Sequence, residues 1–150
     1  PFAEGAIAVL DQLGIGHELR ILSAHRTPGP LEEYVAGAEA AGTRVFITMA
    51  GMAAALPGVV AAKTTLPVIG VPLPASELAG QDALMSIVQM PPGIPVGTMA
   101  IGTAGARNAA WYAAAILALG DPAVARALAG GRARMAQGVL EADAEVQGQA

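Results

Sequence analysis

Cysteine is absent from the 150-residue sequence, and aromatic side chains make up only 3% of it. Without cysteine the protein forms no disulfide and no thiolate metal site, and such a chain is typical of a cytoplasmic protein. With so few aromatic residues, the core has to be built from Ala, Val, Ile, Leu and Met. These small side chains let helices and strands approach closely, which favours a single compact layered α/β domain.

Charge is also scarce, because Asp, Glu, Lys and Arg together make up 13% of the residues and the net charge is −4. This is about half the usual share of charged residues. The absence of a basic run argues against nucleic acid as a partner. Two histidines and no clustered carboxylates argue against a metal site. A monomer with so few charges would expose much apolar surface, so we expect part of that surface to be buried between subunits.

One uncharged run, residues 45–62, reaches the 18 positions that set the lower limit for a transmembrane helix. Gly51, Pro57 and Gly58 interrupt this run. A buried strand, a glycine turn and a short helix explain it better, so we expect no membrane span.

Apolar periodicity predicts strands that alternate with helices, with no hairpin turn between strands. This pattern favours a parallel sheet with helices on both faces. The predicted helices are 2–13, 30–41, 53–64, 82–90, 104–119 and 122–146, and the predicted strands are 17–22, 44–49, 67–71 and 95–101.

The chain opens directly into a helix at Pro1. A doubly wound domain normally begins with a central strand whose first turn binds phosphate. We therefore expect a single domain over residues 1–150 that lacks its first strand and its N-terminal phosphate loop.

The hexapeptide Ser23–Pro28, with the sequence Ser-Ala-His-Arg-Thr-Pro, follows the predicted strand 17–22. Ligands of open α/β sheets bind at the carboxyl ends of the strands. There a histidine such as His25 can exchange a proton, and the guanidinium of Arg26 suits a phosphate or carboxylate. A lone histidine is more often structural and a lone arginine usually forms a surface ion pair, but their adjacency here favours a site. The hydroxyl of Ser23 is as suited to capping the next segment as to lining a pocket.

A loop of small residues, Ala50–Gly58, enters the third predicted helix. Its backbone N–H groups are suited to holding an oxyanion or a carboxylate. Close packing of a helix on the sheet explains the same residues equally well. The loop is neither a dinucleotide fingerprint nor a P-loop, because the required glycine spacing and the Lys-Ser/Thr pair are absent.

Together these segments resemble the phosphoribosylaminoimidazole carboxylase catalytic-subunit family, whose bacterial class is the 5-(carboxyamino)imidazole ribonucleotide mutase of purine biosynthesis. Arg26 directly after the histidine is similar to the mutase class, since the animal carboxylase class typically has lysine there. The matching blocks are Ser23–Pro28, Ala55–Gly58, Ala61–Thr64, Pro67–Pro72, Ser86–Pro91, Gly93–Thr98, Ala100–Gly102, Ala104–Ala106 and Asn108–Ala110.

The resemblance implies a three-layer, doubly wound parallel sheet of the flavodoxin-like kind with a C-terminal helical extension. It implies a homo-octamer with active sites near subunit boundaries, and an isomerase reaction, with related lyase activity, that uses no cofactor, metal or ATP. The substrate would be an aminoimidazole ribonucleotide whose carboxylate leaves the exocyclic nitrogen as carbon dioxide and is recaptured by carbon 4.

Carried over to this sequence, the resemblance makes His25 the catalytic acid and base and assigns the 5′-phosphate to Arg26. Ser23 and the backbone near Leu56 would line the carbon dioxide pocket. The full set of implied substrate-binding residues is Ser23, Ala24, Arg26, Gly51, Ala54, Ala55 and Leu56.

Two departures from the family pattern leave alternatives open. The Gly-Ser-x-Ser-Asp loop that binds phosphate and ribose is absent from these residues, and Ala55 stands where many mutases carry histidine. One alternative is a direct carboxylase that uses free carbon dioxide. The other is a non-catalytic oligomer that binds nucleotides.

Overall fold

The described part of the protein, residues 1–148 of a computed structural model, contains six helices and three parallel strands. The helices are α1 (Phe2–Gln12), α2 (Pro28–Ala40), α3 (Leu56–Ala61), α4 (Gln81–Val88), α5 (Gly102–Ala118) and α6 (Pro122–Gln147). The strands are β1 (Phe46–Gly51), β2 (Val68–Leu73) and β3 (Gly97–Thr98).

The strands form one parallel sheet in the order β1-β2-β3. Phe46 pairs with Val68 at one end of β1, and Gly51 pairs with Leu73 at the other. The central strand β2 is apolar along its length because helices cover both of its faces, as expected for a parallel sheet.

Helices lie on both faces of this sheet. On one face, Ile69 and Val71 of β2 pack against α1 and α5. On the other face, Val68 packs with α2 and α3, while α4 forms a smaller cluster beside them. The predicted three-layer parallel fold is confirmed, and α6 is the predicted C-terminal helical extension.

Small residues allow the layers to approach closely, as the composition predicts. A Cβ on Gly70 would lie 2.5 Å from Cγ2 of Ile87 and 2.9 Å from Cγ1 of Val96. Glycine is therefore required where β2 crosses beneath α4. On the opposite face, buried alanines of α5 take the place that larger side chains fill in most cores, and these are Ala106, Ala109, Ala110, Ala113 and Ala114.

The predicted strand 17–22 is wrong. These residues form no strand, and no described strand pairs with them. An apolar cavity of about 550 Å³ separates them from β1. Alternation of apolar residues indicates that one face of a segment is suited to burial, but a strand also requires a hydrogen-bonded neighbour.

The other elements also differ from their predicted bounds, and three of them show how. The third helix is shorter than 53–64, and it begins only at Leu56 because Ala54 has a positive φ angle of 37°, which does not occur in an α-helix. β1 begins and ends two residues later than predicted, and β3 is only two residues long instead of spanning 95–101. The uncharged run 45–62 thus divides into β1, a loop and α3, and no helix among the described residues has the length and apolarity to cross a membrane.

Candidate active site

The hexapeptide forms a tight turn held by hydrogen bonds between its first and fifth residues. The backbone N–H of Thr27 donates to the carbonyl oxygen of Ser23 at 3.0 Å. The N–H of Ser23 donates to Oγ1 of Thr27 at 2.9 Å, and that hydroxyl donates to the Ser23 carbonyl at 3.1 Å. α2 then begins at Pro28, where proline is pre-organised for the first helical turn.

The Ser23 hydroxyl acts as a local cap, since its oxygen accepts a hydrogen bond from the backbone N–H of Arg26 at 3.1 Å. This is one of the two roles that the sequence leaves open. The other, contact with a ligand, is not excluded by the bond because a hydroxyl keeps its own proton to donate.

The side chains of His25 and Arg26 are exposed on this turn. Within residues 1–148, neither side chain forms a hydrogen bond or an ion pair. Ala24 differs, because it packs partly buried against the cluster that contains Leu31 and Phe46. The turn therefore fixes its backbone against the core and leaves an imidazole and a guanidinium available to a ligand.

The second predicted segment is the loop that follows β1. Ala54 is buried and its N–H donates to the carbonyl of Gly51 at 3.1 Å. A Cβ on Gly51 would lie 2.5 Å from Cβ of Ala75, so the absence of a side chain at Gly51 leaves room for the loop that follows β2. Ala55 and Leu56 are half-buried where α3 begins. The packing role of the small residues is thus observed, while their contact with a ligand stays a prediction.

The structure brings part of the predicted site together. Ala24 and Leu56 pack against the same apolar cluster, so the hexapeptide turn and the start of α3 share one region on the same face of the sheet. Ala54 belongs to a neighbouring cluster with Ala83 and Ile87 of α4. The hexapeptide does not follow a sheet strand as predicted, because residues 17–22 are unpaired.

Sequence reasoning missed Asp82, the second residue of α4. Its Oδ1 atom is buried and has no hydrogen-bond partner among the described residues. Leaving a buried carboxylate oxygen unpaired is costly, so this position is unusual within the fold. In the sequence, an aspartate in the first turn of a helix is explained by the helix dipole alone, so no signal distinguished it.

Burial raises the pKa of Tyr34 on α2, and the charge of Glu18 raises it further to a smaller extent. Across residues 1–148, no group of three or more His, Asp and Glu side chains is arranged to hold a metal ion. The parts of His25 and Arg26 in proton transfer and anion binding stay predictions.

Comparison with known proteins matches the AIR carboxylase family model to residues 1–138. A protein of Brucella melitensis is 55% identical over 136 residues, which cover 91% of this chain and 84% of that protein. A protein of Bacillus subtilis is 52% identical over 136 residues, with the same two coverages. Both are named N5-carboxyaminoimidazole ribonucleotide mutase.

A solved structure agrees with the sequence relatives. The crystal structure of Treponema denticola PurE superposes with a TM-score of 0.86 at 31% identity, covering 96% of this chain and 89% of that one. The flavodoxin-like fold and the family resemblance carried by the hexapeptide are both confirmed. The chain belongs to the AIR carboxylase family.

Proposed function

We propose that this protein is an N5-carboxyaminoimidazole ribonucleotide mutase, an isomerase of purine biosynthesis that works in the cytoplasm. One observation carries the proposal: relatives bearing this name are more than half identical over about nine-tenths of the chain. The exposed His25–Arg26 pair on its hydrogen-bonded turn supports it, because the reaction needs one proton carrier beside one anchor for an anion.

The first step releases carbon dioxide. The bond between the carbamate carbon and the exocyclic nitrogen breaks, and its electron pair stays on the nitrogen. The protonated imidazole of His25 donates its proton to that nitrogen, which leaves aminoimidazole ribonucleotide, carbon dioxide and a neutral imidazole.

The second step forms the carbon–carbon bond. Carbon 4 of the imidazole ring attacks the carbon dioxide, and the neutral imidazole of His25 removes the proton from carbon 4. The carboxylate has then moved from nitrogen to carbon, His25 has regained its proton, and the substrate and product are isomers. No proton is consumed over the cycle.

The remaining residues of the proposed site would bind the substrate phosphate and confine the carbon dioxide. The Arg26 guanidinium would pair with the 5′-phosphate through its planar set of donors. Ser23, Ala24 and the backbone from Gly51 through Ala54, Ala55 and Leu56 would line the space that keeps carbon dioxide beside carbon 4. An apolar lining suits a small neutral gas, because confinement raises its effective concentration.

The need to confine carbon dioxide would explain why the protein forms an oligomer. His25 and Arg26 are open to solvent in the single chain, so a closed chamber requires cover from another subunit. Large apolar side chains are exposed on the second half of α6, and these are Met135, Val139, Leu140 and Val146. We include in the proposal a homo-octamer in which neighbouring subunits cover each turn.

The direct carboxylase is the nearest rival enzyme, and the substitution of Ala55 for the histidine of many mutases suggests a second rival, a non-catalytic oligomer that binds nucleotides. The test supplies purified protein with N5-carboxyaminoimidazole ribonucleotide, or with aminoimidazole ribonucleotide and bicarbonate, and follows ultraviolet absorbance. We expect rapid turnover of the first substrate alone. Strong turnover of the second alone would establish the carboxylase, and binding of either ribonucleotide without turnover would establish a non-catalytic nucleotide-binding oligomer.

A further inference from the structure

Two polar contacts join α2 to the residues that directly follow α3. Nζ of Lys63 donates a hydrogen bond to Oε1 of Glu32 at 2.8 Å, so the two side chains form an ion pair. Oγ1 of Thr64 donates to Oε2 of Glu39 at 2.9 Å. Residues seven positions apart lie on the same face of a helix, about 10 Å apart along its axis. The chain after α3 is therefore attached to α2 at two separate points.

The contact at Glu39 continues towards the sheet. Besides donating to Glu39, Oγ1 of Thr64 accepts a hydrogen bond from the backbone N–H of Leu66 at 3.1 Å. Leu66 lies two residues before β2 begins at Val68. Because the hydroxyl bonds in two directions at once, it connects the C-terminal end of α2 to the segment that leads into the central strand. This end of α2 is thus fixed relative to the sheet.

The contact at Glu32 lies near the other end of α2. Glu32 is four residues after Pro28, where the hexapeptide turn ends and α2 begins. Lys63 is two residues after α3 ends at Ala61. The ion pair therefore joins the helix that carries the hexapeptide turn at its start to the short helix whose first turn is part of the predicted site.

Apolar packing and polar contacts hold the two helices in different ways. Leu31 and Val35 of α2 pack in one cluster with Val60 and Ala61 of α3. Burial of apolar surface is non-directional. An ion pair and a hydrogen bond, by contrast, require defined distances and angles. The polar contacts therefore add a defined register of α2 against α3.

We propose that Lys63 and Glu32 are positioning residues, whose ion pair sets the distance between the His25–Arg26 turn and the start of α3. This inference rests on the proposed function, in which Leu56 at the start of α3 helps to confine carbon dioxide beside carbon 4. Neither side chain of the ion pair touches the substrate. Both act through the turn, which moves together with the first turn of α2.

Loss of the ion pair should therefore separate catalysis from binding. The Arg26 guanidinium moves together with the imidazole of His25, so we expect the phosphate contact, and with it KM, to persist. The distance from the imidazole to the pocket wall changes instead, which lowers kcat. Lys63 is 41% exposed and Glu32 is 61% exposed. Ion pairs this exposed add little to stability, so Tm should hardly change.

The kinetic test reverses the charge at one or both positions of the pair. In Lys63→Glu two carboxylates face each other, and we expect kcat to fall about three- to tenfold while KM changes by less than about twofold. Combining Lys63→Glu with Glu32→Lys recreates the pair in the opposite sense and should restore kcat. An unchanged kcat in Lys63→Glu, or no recovery in the double variant, would overturn the proposal.

Glu33→Lys is the matched control for these variants. Glu33 is exposed on the same helix and forms no ion pair within residues 1–148. The substitution changes the charge of α2 without touching the contact, so kcat and KM should stay as in the unaltered protein. A fall in kcat equal to that of Lys63→Glu would assign the effect to net charge and overturn the role of the pair.

Amide hydrogen exchange tests the geometry independently of the reaction. The backbone N–H groups of Arg26 and Thr27 donate to Ser23 and report on the turn. We expect both to exchange about three- to tenfold faster in Lys63→Glu and at the original rate in the double variant, because the start of α2 is released and then held again. If the unaltered protein fails to convert the mutase substrate, the proposed function is refuted, and the exchange rates still decide the role of the ion pair. Equal exchange rates in all these proteins would overturn that role.

Discussion

At the scale of single residues, the side chains that hold the Ser23–Thr27 turn together are different from the side chains that are proposed to act in the reaction. Ser23 and Thr27 form the hydrogen bonds that fix the turn, whereas His25 and Arg26 take no part in them with their side chains. A histidine that served the fold would be buried or bonded, and His25 is neither in the described structure. Its side chain can therefore be changed with little effect on folding.

The first prediction concerns His25→Asn. Asparagine keeps a polar side chain of similar reach but carries no exchangeable proton of the required acidity, so we expect turnover to fall by about a hundred- to ten-thousand-fold. Tm and the oligomeric mass should be unchanged, because the ring is exposed. The matched control is His17→Asn, since His17 is also exposed and its Nδ1 lies 3.1 Å from the Ile15 carbonyl oxygen and 3.9 Å from Oδ1 of Asp11. Near-normal turnover by the His25 variant would remove it from the mechanism.

The second prediction concerns Thr27→Val, which keeps the shape of the side chain but removes Oγ1. The N–H of Ser23 then loses its acceptor and the turn loosens. We expect a loss of about 1 kcal/mol in the free energy of unfolding. We also expect a clear fall in kcat, because His25 and Arg26 are no longer held in one geometry. Thr27→Ser, which retains the hydroxyl, should restore kcat; a Ser variant as slow as the Val variant would show that the hydrogen bonds are not the cause.

At the scale of elements, the helices were predicted most reliably from sequence. The spacing of Phe2, Ala6, Val9, Leu10 and Leu13 predicts α1, and all of these side chains are buried except Phe2, which is half-buried. Strand bounds were harder, since pairing depends on residues distant in sequence. Residues 17–22 have the pattern of a strand yet lack a neighbour, and the backbone angles at Met52 and Ala54 are set by packing that no local pattern reveals.

In the candidate site too, some residues could be predicted from sequence and others could not. The hexapeptide is visible in sequence because a hydroxyl, an imidazole and a guanidinium lie within four residues, and the family resemblance implies roles for them. Asp82 was not visible, since its buried oxygen is a property of the folded environment.

The third prediction tests the close contact between β2 and α4. In Gly70→Ala the new Cβ would meet Ile87, so we expect a loss of about 1–3 kcal/mol in the free energy of unfolding. Adding Ile87→Ala removes the nearer of the two clashing atoms and leaves Val96, so the two losses should be less than additive. Gly37→Ala is the control: no atom lies within 4 Å of its added Cβ on α2, and we expect a gain of about 0.5–1 kcal/mol. Strict additivity in denaturant unfolding would contradict the contact.

At the scale of the whole molecule, the proposed assembly would explain both the low charge and the exposed apolar surface. Met135, Val139 and Val146 recur on one side of α6, at the spacing of a helix face that packs against another surface. The composition that builds a small-residue core thus also leaves apolar surface for subunit contacts.

The fourth prediction follows from that surface. We expect Val139→Glu to lower the mass measured by light scattering at micromolar concentration and to lower turnover with it, because a charge would have to be buried in the interface. Ala144→Glu, on the opposite side of the exposed helix, is the control and should leave both unchanged. A monomeric mass for the unaltered protein would refute the assembly.

Transfer of the carboxylate within an enclosed site is the centre of the account, and isotope retention measures it directly. N5-carboxyaminoimidazole ribonucleotide labelled with ¹³C in the carbamate is converted by the protein in excess unlabelled bicarbonate, and the product is analysed by mass spectrometry. We predict that the product keeps the label, because the released carbon dioxide is recaptured before it reaches solution. A product carrying the isotope composition of the bicarbonate would contradict the account.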